Sequence, residues 1–281
     1  MKIGSTPKPC DNEFGIDIEL MQKIGFETID LQDFTWSTKK SYSLDENSFI
    51  NYYSRLKNEL EKHHLSVNQM HGLFEFQVFR WDLKENWKSS LFYYIRSFKA
   101  AQILGCKYVV LHHRHPKGYD ENEWTKENGF KYNIEFLNFL APYAEQYGVT
   151  ICLENLPFST KHSNVLNTYK IVKEVNKENV GMCLDLGHLN VTEHDKNIFD
   201  VVTTIGDKLK VLHVHDNLGD GDYHLLPGQG NINWPEFARA LKAINFQGSF
   251  SYETASRSKD QQVYFDEETS LVKFAHEILE K

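Results

Sequence analysis

No stretch of the 281-residue chain approaches the ~20 consecutive apolar residues that a helix needs to cross a bilayer, so a membrane protein is not expected. Lys and Arg form no run, and 31 of them stand against 39 Asp and Glu for a formal charge of −8. That excludes a broad basic footprint for nucleic acid, though a local groove can hide in an acidic total. Glycine (16) and proline (7) are sparse and scattered, which excludes fibrous repeats and disorder. Cys10, Cys106, Cys152 and Cys183 make no CxxC pair, and three of them sit in apolar runs. Reduced, buried thiols in a cytoplasmic protein are the expectation. The segment Met1 to Pro7 lacks an apolar h-region, so no secretory leader is expected.

What the chain does contain is alternation. Short β-branched runs at 2–5, 27–31, 65–70, 107–111, 149–153, 180–184, 209–214 and 248–252 predict eight strands. Helix-period segments at 87–104, 130–147, 165–175, 234–244 and 268–279 fall between or after them. The polar stretches around Asp45 and from Gly118 to Asn128 read as loops, and no linker divides residues 1–281, which read as one domain.

Strand-helix alternation implies parallel strands with right-handed crossovers, in either an open doubly wound sheet or a closed eightfold barrel. The polar residues discriminate. His71, His112, Glu154, Asp185, His213 and Glu253 follow successive strand runs at intervals of about 36 residues, close to one eighth of the chain. An open sheet separates its outer strand ends by ~15–20 Å, whereas a barrel gathers them at the mouth where barrel enzymes place their chemistry. The expected fold is therefore α/β, a single (β/α)8 barrel.

Closure would bring Glu154, Asp185 and Glu253 together, with His213 among them. At ~4 Å and an effective dielectric of ~20 each like-charge pair costs ~4 kcal/mol, comparable in sum to a domain's whole stability. No strand-end Lys or Arg offers compensation, so a divalent cation is expected on these four residues; their donors suit Mn²⁺, Mg²⁺ or Co²⁺, with Zn²⁺ favoured if histidines join and several ions bind. His188, in Asp185-Leu186-Gly187-His188, is a metal or substrate ligand; His71 and His112 are weaker candidates, since a strand-end histidine is often just hydrogen-bonded in the core. Asp222 and His224, one residue apart in the polar run from His213 to Gly230, can point the same way as a ligand pair. Gly228-Gln229-Gly230 ahead of a helix near Asn233 offers backbone N–H groups to an anion, or is simply a turn. His113, His115 and His215 divide evenly between core and ligand roles, and His63, His64, His162, His194 and His276 read as solvated. Trp36, Phe74, Phe76 and Trp81 suit an apolar wall for a sugar face, although core or loop packing is commoner.

The motifs LENLP at 153–157, CLDLGH at 183–188, HVHDN at 213–217, DxH at 222–224 followed by LLPGQG, and YE at 252–253 together resemble the xylose-isomerase-like TIM-barrel superfamily, the sugar phosphate isomerase/epimerase and endonuclease IV group (AP endonuclease family 2). The resemblance spans nearly the whole chain. It implies, in the epimerase branch, one metal on Glu154, Asp185, His213 and Glu253, with His188 touching a sugar or sugar phosphate substrate. Glu154 and Glu253 would then move a proton next to a carbonyl through a metal-stabilised enediolate. In the endonuclease IV branch it implies three zinc ions on His71, His112, Glu154, Asp185, His188, His213, Asp222, His224 and Glu253, and hydrolysis of abasic DNA. The motif contexts look more like the first branch, with a small-molecule sugar as partner and homo-oligomerisation left open. Ketose 3-epimerases carry Arg and Glu where this chain has Gly219 and Thr160, which sets it apart from that activity.

Overall fold

The computed structural model describes residues 1–74, 84–114, 126–157, 163–193, 197–254 and 260–280. Eight parallel strands run β1 (Ile3–Ser5), β2 (Thr28–Leu31), β3 (Ser66–His71), β4 (Tyr108–His112), β5 (Thr150–Glu154), β6 (Val180–Asp185), β7 (Leu209–His213) and β8 (Phe250–Tyr252). They lie in the order β7-β6-β5-β4-β3-β2-β1-β8. A bridge pairs Val214 with Tyr252, and Val214 N donates to Ser251 O at 2.9 Å, joining the two ends of the sheet. The fold is the expected (β/α)8 barrel.

The crossovers are α1 (Ile18–Ile24), α2 (Lys40–Ser43), α3 (Glu46–Lys62), α4 (Lys84–Leu104), α5 (Lys126–Gln146), α6 (Val165–Val175), α7 (Leu186–Thr192), α8 (Ile198–Ile205), α9 (Trp234–Ala243) and α10 (Gln261–Glu280). Side-chain caps start most of the shorter ones: Asp17 accepts from Leu20 N, Asn164 from Asn167 N, Asn197 from Asp200 N and Asn233 from Glu236 N. The stretch around Asp45 is not a loop. Asp45 caps α3, accepting from Ser48 N, and α3 buries Phe49, Tyr53, Leu56 and Leu60 along one face while its polar majority meets solvent. Of the other expected loop, residues 118–125 lie outside the described residues, and Lys126 to Asn128 open α5.

The large core lies between helices and the outer barrel face. Inside the barrel is a separate small layer of Val110, Cys152, Cys183 and Val211. Side chains alternate with period two along a strand, so two residues onward the same inward face carries His112, Glu154, Asp185 and His213. Apolar filling thus gives way to titratable groups one layer nearer the mouth. All four cysteines are free, and burial drives the Cys152 and Cys183 thiols upward, holding them protonated as filling. No helix among the described residues is long and apolar enough to cross a membrane.

Candidate active site

At the C-terminal mouth, ligand-type atoms of Glu154, Asp185, His213 and Glu253 all lie within 4.8 Å of one another. His213 Nδ1 is 3.0 Å from Glu154 Oε1 and 3.3 Å from Glu253 Oε2. A second group, His71, His112 and Glu154, meets the same distance limit, with His71 Nε2 3.1 Å and His112 Nε2 3.2 Å from Glu154 Oε2. A third contains His188, His215, Asp222 and His224. His188 Nε2 is 3.4 Å from Asp222 Oδ2, and His224 Nε2 is 3.3 Å from Asp222 Oδ1. Every candidate raised from the strand ends and the loop after β7 therefore lies in one connected cluster.

His215 joins them. It is fully buried, its Nε2 stands 3.1 Å from Asp185 Oδ1, and its ring stacks on His224 with centroids 4.0 Å apart. The conformation depends on Gly187, where a Cβ would overlap the His215 ring. Gly187→Ala is expected to destabilise the fold by about 1–3 kcal/mol through overpacking and to displace His215, as urea unfolding would measure. His113, by contrast, is a core group whose Nε2 meets Thr168 Oγ1 at 2.8 Å. His115, His162 and His194 lie outside the described residues, as do Phe76, Trp81 and Thr160.

Backbone carbonyls select which ring nitrogen faces inward. His71 Nδ1 donates to Gly72 O at 3.1 Å, His188 Nδ1 to Asn155 O at 2.8 Å and His224 Nδ1 to Glu253 O at 2.5 Å. Each ring so pinned offers Nε2 to the cluster, the arrangement second-shell contacts impose on metal-ligating histidines. His188 Nε2, His215 Nε2 and Asp185 Oδ2 are buried with no hydrogen-bond partner. Such orphaned donor atoms, in a set of oxygens and imidazoles, fit a divalent cation.

Charge balance differs from the sequence expectation in one respect. Among the described residues the ion pairs of Glu154, Asp185 and Glu253 are all with histidines, so imidazolium can supply the positive charge assigned above to a metal. Burial works against protonating His188, but the neighbouring Asp185 and Asp222 outweigh it and raise that ring to about 9. His224 rises to about 10, against burial, through Asp222 and Glu253. His213 is lifted well above its ordinary value, burial being overcome by Cys183, Glu253, Glu154 and Asp30 around it. His112 goes the other way: burial outweighs the pull of Glu154 and lowers it to about 4. Burial pushes both glutamates up, yet His213 and His112 hold Glu154 well below the usual range, whereas Glu253 stays raised because the charges of Glu154 and Asp185 add to burial.

Arg114, two residues beyond β4, is a buried cation near this end that the strand-end argument overlooked. It donates to Leu73 O at 2.6 Å and lies over the Tyr94 ring. The glycine turn at 228–230 does not await an external anion: Asp216 supplies one, its Oδ2 accepting from Gly228 N at 2.8 Å and from Trp234 Nε1 at 3.2 Å. Asp216→Ala should loosen this loop, costing about 1–3 kcal/mol for the buried donors left unpaired. Amide exchange at Gly228 would report it. Phe74 stacks on His112 at 4.6 Å and meets Trp36 edge-on at 5.9 Å, which places two of the four sequence-flagged aromatics beside the cluster. Gly219 adopts φ +84°, and its N–H donates to Asn217 Oδ1.

The chain belongs to the xylose isomerase-like TIM barrel family, whose model matches residues 18–275. Among curated relatives it is similar to an inosose isomerase of Bacillus velezensis, 28% identical over 84% of this chain and 81% of that one. It is also similar to a D-psicose 3-epimerase of Agrobacterium fabrum, 31% identical over 50% of this chain and 46% of that one. The chain spans about half the length of several curated relatives it matches. Among solved structures it shares its fold with the IolI protein holding a zinc atom (TM-score 0.74, 23% identity, 99% and 98% of the two chains).

Proposed function

We propose that this protein is a divalent-cation-dependent sugar or sugar phosphate isomerase or epimerase that moves a proton next to a carbonyl. One observation carries the reading: donor atoms of Glu154, Asp185, His213 and Glu253 all lie within 4.8 Å of one another, with Glu154 and Glu253 3.0 and 3.3 Å from His213 Nδ1. Two carboxyl groups placed together in this way suit a base and an acid in one pocket. Glu154 removes the proton and Glu253 returns one, to the opposite face of the same carbon in an epimerisation or to the neighbouring carbon in an isomerisation. Glu154, Asp185, His213 and Glu253 would hold the cation, and this oxygen-rich set suits Mn²⁺, Mg²⁺ or Co²⁺. When bound, the cation supplies positive charge where oxyanion character develops. His188 and the Asp222–His224 pair line the same mouth and can bond substrate hydroxyls, while Phe74 and Trp36 offer an apolar wall to a sugar ring. The relatives named for inosose and psicose chemistry support this substrate class, and the reading places the protein in the cytoplasm.

The test is solvent-deuterium incorporation into a panel of ketoses and inososes, with metal-stripped and metal-restored protein. Exchange that disappears on stripping and returns with Mn²⁺ or Co²⁺ is expected. Failure of every sugar to exchange with loaded protein would overturn the reading. A second reading, zinc-dependent cleavage of abasic DNA, draws on the three adjoining donor groups. Two or three zinc ions per chain together with nicking of abasic duplex would favour it, and one Mn²⁺ or Co²⁺ per chain with sugar exchange would exclude it.

A further inference from the structure

Barrel interiors are normally filled with branched apolar side chains, yet β2 and β3 place an acid and an amide there. Asp30 and Gln69 are both fully buried. Their pairing follows a break in register: Ile29 pairs with Val67 but Asp30 with Gln69, so Asn68 is skipped. Such an irregularity re-aims side chains, and these are common beside active sites. Gln69 Nε2 donates to Asp30 Oδ2 at 2.9 Å and to Leu212 O at 3.1 Å, while Asn68 Nδ2 donates to Gln69 Oε1 at 2.7 Å. Asp30 Oδ2 also lies 2.9 Å from His213 Nε2.

That last contact sets His213 apart from the other rings. His71, His188 and His224 are pinned at Nδ1 by carbonyl oxygens and offer Nε2. His213 is pinned at Nε2 by a carboxylate and offers Nδ1 to Glu154 and Glu253. A carboxylate can only accept here, so the ring must donate from Nε2, leaving the Nδ1 lone pair for a cation. A charged acceptor also makes the imidazole a stronger donor to a metal than a carbonyl does.

We infer that Asp30, held in place by Gln69, is the positioning residue that orients His213 and makes its Nδ1 a metal-ligating atom. The burial of an acid whose second oxygen, Oδ1, has no partner is otherwise a cost with no return. The inference rests on the proposed function only in taking His213 as a ligand.

Its test is Co²⁺ binding by chelator competition, together with the visible spectrum of the Co²⁺ protein, for the wild type, Asp30→Asn and Gln69→Leu. Asparagine keeps the shape and an acceptor oxygen but removes the charge. Asp30→Asn should bind Co²⁺ about 10–100-fold more weakly, with shifted d–d bands. Gln69→Leu should fall toward the lower end of that range, because Gln69 reaches His213 only indirectly, through Asp30 and the Leu212 carbonyl. If Asp30→Asn does not fold, as circular dichroism would show, Gln69→Leu decides by the same criteria. Variants that bind within threefold of wild type with an unchanged spectrum would overturn the inference while leaving the proposed function standing. A wild type that binds no divalent cation would overturn both.

Discussion

Glu154→Gln and Glu253→Gln should each lower kcat for proton exchange by about 10²–10⁴-fold, the range positioned acid and base groups supply. Glu154 is the more exposed to secondary loss. Its two oxygens meet His213 on one side and His71 and His112 on the other, and an amide can accept at only one of its two positions. Its replacement should therefore also weaken cation binding. Glu253 is half-buried and, among the described residues, pairs with His213 alone, so Glu253→Gln should keep more of its cation affinity and lose mainly kcat. The double variant should be little worse than the poorer single one, since groups that act on one proton are not additive. Steady-state kinetics with saturating cation, alongside deuterium wash-in, would separate these outcomes. A loss below about tenfold in either variant would remove that residue from the chemistry.

Much of this constellation was legible because strand geometry is strict. Inward residues recur every second position, and barrel closure brings ends of successive strands to one mouth. His71, His112, Glu154, Asp185, His213 and Glu253 could thus be read from spacing alone. Asp30 was not legible in that way. It precedes the end of β2, and the register break that turns it toward Gln69 leaves no mark in the apolar pattern; an aspartate inside an otherwise buried strand was the available signal. His215 lies beyond the end of β7, where the bridge of Val214 to Tyr252 carries the alternation onward by one more step. Helix α3 was hidden by its own solvent face, since the buried Phe49, Tyr53, Leu56 and Leu60 are diluted by polar neighbours.

Like-charge repulsion demands positive charge, and it does not choose between a cation and protons on imidazoles. This ambiguity is itself measurable, because the two compete. His213, the imidazole of the proposed cation set, is lifted well above its ordinary value, so a cation uses its Nδ1 by displacing a proton. His188 and His224, raised to about 9 and about 10, set the same competition at the adjoining donor group. Apparent affinity should then climb with pH by up to about one decade per unit for each proton displaced, and level off once the ligand rings have lost those protons. The stability of the metal-free protein carries the matching sign. A histidine raised from its ordinary ~6.5 contributes fully below that value and loses its contribution as pH passes through the raised value. The lowered carboxyls of Glu154 and Asp185 contribute above about pH 4 and lose their share on acidification. The metal-free protein should accordingly be most stable between about pH 4 and about pH 6.5 and weaken progressively from there to about pH 9–10. There a cation at about 100 times its dissociation constant should restore about 2.7 kcal/mol. Thermal unfolding with EDTA or with Mn²⁺ at pH 6, 7.5 and 9 would read this directly. Stabilisation by Mn²⁺ that grows with pH identifies the protons as competitors for the ligand atoms, whereas stabilisation independent of pH would mean that these histidines take no part in holding the ion.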